Sequence, residues 1–302
     1  MMQQFQLEKA APRLDIFLAT ASGLSRGKIR KIIDFGGVHV DGRRVRRLSF
    51  PLRAGQKVEI FLDDLPLIPF RLSEEYIVFE DSHLIVINKP AGILTQPTPA
   101  RLKGTLFEAL ERHLREQGVG KPSIAMHQPL DVGTTGLLTF SIHETAHRGM
   151  TQQEEEHVLQ HTYLALVEGR PEPASGTIQT QIARRNKRTL SVESGGKEAI
   201  THYELVQETA EPEGASFSLL RIRLETGHSH QIRAHLSEQN HPLLGDSFYG
   251  GKMSAAGQQL TRPLLHSSRL ELHHPVSQEA LHFEVPLPTD MAALLLPSPP
   301  QE

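Results

Sequence analysis

The charge of this 302-residue chain is divided between two stretches of different pattern, and that division limits the fold more than any single motif. Between Arg13 and Ile60 eleven Lys and Arg stand against four acids, a local net of +7, while the rest carries 21 basic and 31 acidic residues, net −10. A basic module on an acidic body suits a protein that docks on a polyanion through an appendage. The hydropathy pattern changes at the same place. Residues 63–72, with Pro66 and Pro69, read as a linker, and strands mixed with helices follow from Ser73. The expected organisation is a domain over 1–62, a linker over 63–72, a larger domain over 73–290 and a Pro-rich flexible tail over 291–302.

Within the basic module a short helix begins at Arg13-Leu14-Asp15. Ser25 is placed to cap a second helix, with Ile29, Ile32 and Ile33 inward and Arg26, Arg30 and Lys31 outward. Gly36-Gly37 ends it, and Asp41-Gly42 signals a hairpin between Val38-His39-Val40 and Val45. Lys57 to Leu62 reads as a further strand. Beyond the linker, Tyr76–Phe79, Leu84–Asn88, Leu137–Phe140, Thr162–Val167, Ile200–Val206, Phe217–Leu224 and Leu281–Val285 read as strands. Thr105–Glu116, capped by Thr105, and Glu144–Gln160 read as helices. So irregular an order predicts an α+β domain with a mixed, mostly antiparallel sheet, beside a small N-terminal α/β domain.

Composition narrows the setting. Hydrophobic residues make up 38% of the chain, and there is no cysteine, hence neither a disulfide framework nor a thiolate metal site. No apolar run is long enough to span a bilayer and no basic-then-apolar leader is seen, so a cytoplasmic location without membrane attachment is expected.

Chemistry gathers in two segments. In His127–Leu138, HQPLDVGTTGLL, Asp131 precedes a Gly-Thr-Thr-Gly turn that runs into an apolar strand. A carboxylate held by a tight turn at a strand mouth can serve as nucleophile or base, although Asp before such a turn is also ordinary turn chemistry. In Thr226–Leu236, TGHSHQIRAHL, Arg233 falls on a predicted helix as a candidate counter-ion. A third segment, His143-Glu144-Thr145-Ala146-His147, fits the HExxH zinc pattern, but it lies at a helix start and has no convincing third ligand. No metal is expected.

These segments resemble the RluA-type pseudouridine synthases, whose signatures read roughly HRLDxxTSGLL and GRTHQIRxHL. Asn88-Lys89-Pro90-Ala91-Gly92, Tyr163 in HTYLALVEG, Leu244-Gly245-Asp246 with Tyr249-Gly250, and His266–Leu270 extend the likeness from Ser73 to Pro288. In the N-terminal module RLDIFL, LSRGKIRKII and GGVHVDGRRV resemble the αL RNA-binding domain of the S-four type. The resemblance implies the pseudouridine synthase fold and an isomerase that detaches uracil, rotates it and rejoins it through C5, without metal or organic cofactor. It maps the catalytic Asp onto Asp131, its basic partner onto Arg233 and the active-site aromatic onto Tyr163. RNA contacts are expected from Arg26, Lys28, Arg30, Lys31, Arg43, Arg44, Gln128 and His228.

Two departures bear on activity. The family's Arg two places before the catalytic Asp is Pro129 here, Val132 follows the Asp, and no Lys or Arg occurs from Pro122 to His147. His228 stands where the later motif has Arg. Since flipping a base costs a few kcal/mol of unstacking, loss of that Arg suggests an already unpaired loop uridine as target, or Gln128 as the residue that fills the gap. The expected partner is RNA, large-subunit ribosomal RNA above transfer RNA, met by a monomer. A non-catalytic ribosome-assembly factor that keeps the fold is the alternative.

Overall fold

A computed structural model describes residues 1–186, 188–210 and 216–295. The chain divides into two compact units, one formed by Met1–Ser73 with Gly92–Pro122, the other by Glu74–Ala91 with Ser123 onward.

The first unit contains β1 (Met2–Gln6), α1 (Leu14–Ser22), α2 (Arg26–Phe35), β2 (Val38–Val40), β3 (Arg43–Arg44), β4 (Lys57–Phe61) and α3 (Leu106–Glu116). Its sheet runs β1-β4-β2-β3. Ser25 caps α2 by accepting a hydrogen bond from the Lys28 amide, which satisfies one of the open donors of the first turn. Ile29, Ile32 and Ile33 point from α2 onto Leu14, Leu18, Val38, Val58 and Ile60, so the apolar stripe of the helix closes the core. Position 37 tolerates only glycine: a Cβ there would stand 2.8 Å from the carbonyl oxygens of Ala100 and Phe61. Asp15 is fully buried between Arg13 and Arg26, whose hydrogen bonds hold its carboxyl down at about 2.

The segment expected as a linker is pinned. Arg101, almost fully buried, donates to both carboxylate oxygens of Asp63 (2.9 and 2.7 Å) and to the carbonyls of Leu65 and Pro66. Strand β1 was not visible in the sequence, because MQQFQ offers one large apolar residue between glutamines.

The second unit is built on an eleven-stranded sheet. Its strands are β5 (Ile77–Glu80), β6 (Leu84–Lys89), β7 (Ala125–His127), β8 (Thr135–Ser141), β9 (Gln160–Glu168), β10 (Ser175–Arg185), β11 (Arg188–Val192), β12 (Lys197–Ala210), β13 (Ser216–Leu224), β16 (Leu265–His273) and β17 (Ala280–Glu284). A small hairpin supplies β14 (Ser254–Ala255) and β15 (Gln258–Gln259), and the helices are α4 (Glu144–Glu155), α5 (Gln231–Glu238) and α6 (Thr289–Leu295). The main path runs β11-β10-β12-β13-β9-β16-β8-β6-β5, with β17 on β16 and β7 on β8. All pairs are antiparallel except β16 with β8. The mixed, mostly antiparallel α+β reading therefore stands.

That parallel contact is tight. A Cβ on Gly136 would lie 2.2 Å from the Ser267 carbonyl, and its φ of +106° is one only glycine adopts at ease. One core cluster joins Leu84, Val86, Leu137, Met150, Leu159 and Leu270; a second joins Leu166, Phe217, Leu219, Leu244, Leu264, Met291 and Leu294.

The structure corrects two readings and adds two strands. Helix α4 stops at Glu155 rather than Gln160, and His157 with φ +57° turns the chain into β9. Strands β10 and β11 come from a polar stretch in which Ile178 and Ile182 are the buried hydrophobics of β10. The flexible tail expected from position 291 is helical through Leu295, because Met291 and Leu294 are buried in the second cluster; residues 296–302 lie outside the described residues.

Candidate active site

Asp131 sits in the loop between β7 and β8, and that loop is held by its own backbone. At its start the Glu154 carboxylate of α4 is hydrogen-bonded to His127 Nδ1 (2.9 Å) and accepts from the Gln128 amide (3.0 Å). In its turn the Thr134 amide donates to the Asp131 carbonyl (3.1 Å). Two buried cations then gather the loop carbonyls. Lys89, at the end of β6, donates from Nζ to the carbonyls of Thr134 (2.8 Å), Asp131 (3.2 Å) and Pro90 (3.1 Å). Arg262 donates to the Gly133 carbonyl (3.1 Å) and to both oxygens of Asp290 (2.7 and 2.8 Å). Burial pushes the Lys89 ammonium down to about 7 against the pull of the Asp131 charge, while the carbonyls around Nζ favour the charged form.

The Asp131 side chain meets α5. Arg233, in the first turn of that helix, donates from Nη1 to Asp131 Oδ2 (3.0 Å) and from Nε and Nη2 to the two oxygens of Asp246 (2.6 and 2.9 Å). Burial works against the Arg233 charge, but the bonds and charges of Asp246 and Asp131 outweigh it and raise its pKa. His230, the αL residue that precedes α5, places Nε2 3.6 Å from Asp131 Oδ2, while its Nδ1 is hydrogen-bonded to the Tyr249 hydroxyl (3.1 Å). Burial lowers the His230 pKa, with the Asp131 charge opposing. The Asp131 side chain keeps 26% exposure, so a ligand can reach a carboxylate whose charge is already compensated.

Tyr163 on β9 is 7% exposed, and burial, helped by the Asp131 charge, raises its phenol pKa. At neutral pH it is a ring and a neutral hydroxyl, not a base. Its ring lies nearly parallel to His161 (5.8 Å between centroids, 24°), and His161 Nδ1 is hydrogen-bonded to the Ser267 hydroxyl (2.8 Å). The three residues expected to carry the chemistry thus converge: Asp131 and Arg233 in direct contact, Tyr163 close enough to feel the Asp131 charge.

The expected RNA contacts divide. Lys28, Arg30, Lys31 and Arg43 are exposed, whereas Arg26, though exposed, spends its guanidinium on Asp15. Arg44 is half-buried and donates to the Thr98 carbonyl, which makes it a structural contact in the folded unit. Gln128 has φ +49°, and its side-chain amide donates to the Leu159 carbonyl (3.3 Å). His228 Nε2 is hydrogen-bonded to the Glu198 carbonyl (2.8 Å). Site reading from sequence missed His230, Asp246, Lys89 and Tyr249. All four lie inside the quoted motifs, but only the fold shows which of them face Asp131.

Two constellations could suggest metal chemistry. In HETAH, His143 caps α4 by accepting from the Thr145 amide, and both nitrogens of His147 are taken by Ser141 and Ser123 (2.7 and 2.9 Å). Asp81, His83 and His274 bring potential ligand atoms within 4.8 Å of one another. There, however, His274 Nδ1 accepts from the Ser277 amide (2.9 Å), so its proton is on Nε2 and donated to Asp81 (2.9 Å). A metal would have to displace that proton, and the trio is better read as a clamp between two turns.

Solved structures carry the same fold. Human RNA pseudouridylate synthase domain containing 4 aligns at TM-score 0.57 and 21% identity, over 73% of this chain and 92% of its own. Human RNA pseudouridylate synthase domain containing 1 aligns at 0.55 and 23%, over 70% and 82%. In sequence, residues 83–238 match the RNA pseudouridylate synthase family and residues 12–58 match the S4 domain. A ribosomal large subunit pseudouridine synthase D of Zymomonas mobilis is 34% identical over 303 residues, covering 93% of this chain and 92% of that protein. RNA pseudouridine synthases of Chloroflexus aurantiacus (38% over 297 residues; 95% and 90%) and Aquifex aeolicus (34% over 300 residues; 94% and 93%) are as similar. The chain belongs to the RNA pseudouridylate synthase family, with an S4 domain at its N-terminal end.

Proposed function

We propose that this isomerase converts uridines of large-subunit ribosomal RNA to pseudouridine with Asp131 as the group that acts at the ribose. The observation that carries the assignment is the Asp131–Arg233–Asp246 ion relay at the mouth of a cation-held loop. Arg233 fixes one oxygen of Asp131 and pairs with its carboxylate, His230 borders the same oxygen, and Tyr163 offers a ring against the base. In the reaction the C1′–N1 bond breaks, C1′–C5 forms, the C5 proton leaves to solvent and N1 takes up a proton. The exchange is redox-neutral and Asp131 with its counter-ion Arg233 acts at the ribose, so the proposal needs no metal or organic cofactor.

The choice of ribosomal RNA rests on the named Zymomonas relative and on the basic S4 unit, whose Lys28, Arg30, Lys31 and Arg43 are exposed. With Pro129 in place of an arginine and Gln128 tied to Leu159, an unpaired loop uridine is the favoured target. A monomer in the cytoplasm is the working state. Tritium release from C5-labelled, unmodified transcripts tests the substrate: release is expected from large-subunit RNA, persisting in excess chelator. Release from transfer RNA alone contradicts the substrate assignment, and loss of release in chelator contradicts the metal-free chemistry.

A further inference from the structure

Beside the Asp131 site, the turn Asp246–Gly250 carries a phenylalanine that the residues at Asp131 do not explain. Tyr249 is buried and Phe248 is half-buried. The Phe248 ring meets His230 edge-on (5.9 Å between centroids, 87°), and the Arg233 guanidinium lies 5.9 Å from its centre. Phe248 is therefore one side chain away from Asp131 along two routes. Its turn is rigid as well: the Tyr249 and Gly251 amides donate to the Asp246 carbonyl, and the Asp246 carboxylate holds Arg233.

The β10–β11 hairpin reaches the same place. Its second strand is fixed to the site by the Thr189 amide, which donates to the Tyr249 hydroxyl (2.9 Å), and by the Thr189 hydroxyl, which donates to the Ser229 carbonyl (2.7 Å). Arg188, the neighbour of Thr189, is thereby carried over Phe248, with its guanidinium carbon 4.9 Å from the ring centre. Arg184 and Arg185, on the facing strand, are exposed, and the Arg184 charge is felt by His230. Among the described residues none of these three arginines makes a salt bridge with a carboxylate.

We propose that Phe248, whose ring Arg188 covers, is a stacking shelf for the base of a nucleotide next to the target uridine, with Arg184 and Arg185 meeting its phosphates. This rests on the synthase assignment above and adds a subsite to it. A guanidinium over an aromatic face occupies the position of a flat, π-rich group, and a single-stranded base is such a group. When the base takes its place, Arg188 moves to the phosphate that arrives with it. The shelf also supplies what the loop lacks: position 129 is proline and Gln128 is engaged, so the surface that steadies the RNA around a displaced uridine comes from the α5–β14 turn and the hairpin instead.

A short single-stranded RNA with one uridine followed by 2-aminopurine tests this. The full-length protein is expected to quench the 2-aminopurine, and Phe248→Leu, which keeps apolar bulk without a π face, to lose the quench and about ten-fold in affinity. Arg188→Gln is expected to lower the slope of log Kd against log salt by about 0.7. On tritiated transcript Phe248→Leu raises KM more than it lowers kcat. Wild-type quench, KM and salt slope in these variants overturn the shelf, as does absence of quench in the unaltered protein. Asp131→Asn, measured in parallel, separates the two assignments. It should retain the quench while release disappears; release that persists in it removes the assignment of Asp131 and leaves the shelf to be judged by the quench.

Discussion

Arg233 shares its guanidinium between two carboxylates, Nη1 toward Asp131 and Nε with Nη2 toward Asp246. The bidentate pair with Asp246 fixes the plane of the guanidinium, and that plane sets where Nη1 meets Asp131. A lysine has no such fork. Asp246→Asn leaves a buried arginine with half its compensation, for which a loss of about 3 kcal/mol in urea unfolding is expected. The same change lets Arg233 drift, and a shift on the order of 1 Å at Asp131 lowers kcat about 100-fold. Single-turnover kinetics with RNA binding measured alongside check both effects. Unchanged stability and kcat would show that Asp246 is a bystander. Asp131 and Arg233 were legible in the sequence because each sits in a motif with a recognisable turn or helix start. Asp246 was not assigned a role, since nothing in its local sequence says that its carboxylate faces a guanidinium thirteen residues back in the chain.

At the scale of elements, the junction of β9 with β16 and β8 buries two imidazoles. His161 is hydrogen-bonded to Ser267 and His266 to Thr135 (each 2.8 Å), and among the described residues neither Nε2 makes a hydrogen bond of good geometry. Burial pushes both histidines down to about 4. In the unfolded chain a histidine takes its proton near 6.5, so between pH 6.5 and 4 the unfolded state binds more protons and stability falls as the pH falls. Each histidine contributes up to about 1.4 kcal/mol per pH unit in that window. Urea unfolding of His161→Phe across that range should show a shallower pH dependence than the unaltered protein; identical slopes would mean that the imidazole titrates normally. The elements themselves were readable where periodicity was strong: α2 with its Ser25 cap, α3 with its Thr105 cap, and the apolar strands β6 and β8. The strands β1, β10 and β11 were not, because their residues are largely polar and tertiary pairing, not local propensity, makes them strands. Helix α6 was hidden by the prolines that follow it, although Met291 and Leu294 have the spacing of a buried face.

For the whole molecule, the segregation of charge seen in the sequence becomes a basic S4 unit in which several cations are spent on structure. Arg13 and Arg26 compensate Asp15 and Arg44 holds the Thr98 carbonyl. The cations left for RNA are fewer than composition suggests, and Lys28, Arg30, Lys31 and Arg43 are the clearest of them. Replacing these four with alanine should lower the slope of log Kd against log salt by about 3 to 4 on structured ribosomal RNA, while leaving Asp131 chemistry on bound RNA intact. An unaltered slope would place the docking surface elsewhere. The chemistry proposed for the second unit depends on the assignment of Asp131. The most direct measurement is tritium release from C5-labelled large-subunit ribosomal RNA by the unaltered protein and by Asp131→Asn at equal RNA binding. Release by the first and none by the second is the expected result. Equal release by both, or none by either on any unmodified RNA despite tight binding, would contradict catalysis at Asp131, and the second outcome would leave an RNA-binding protein that keeps the synthase fold.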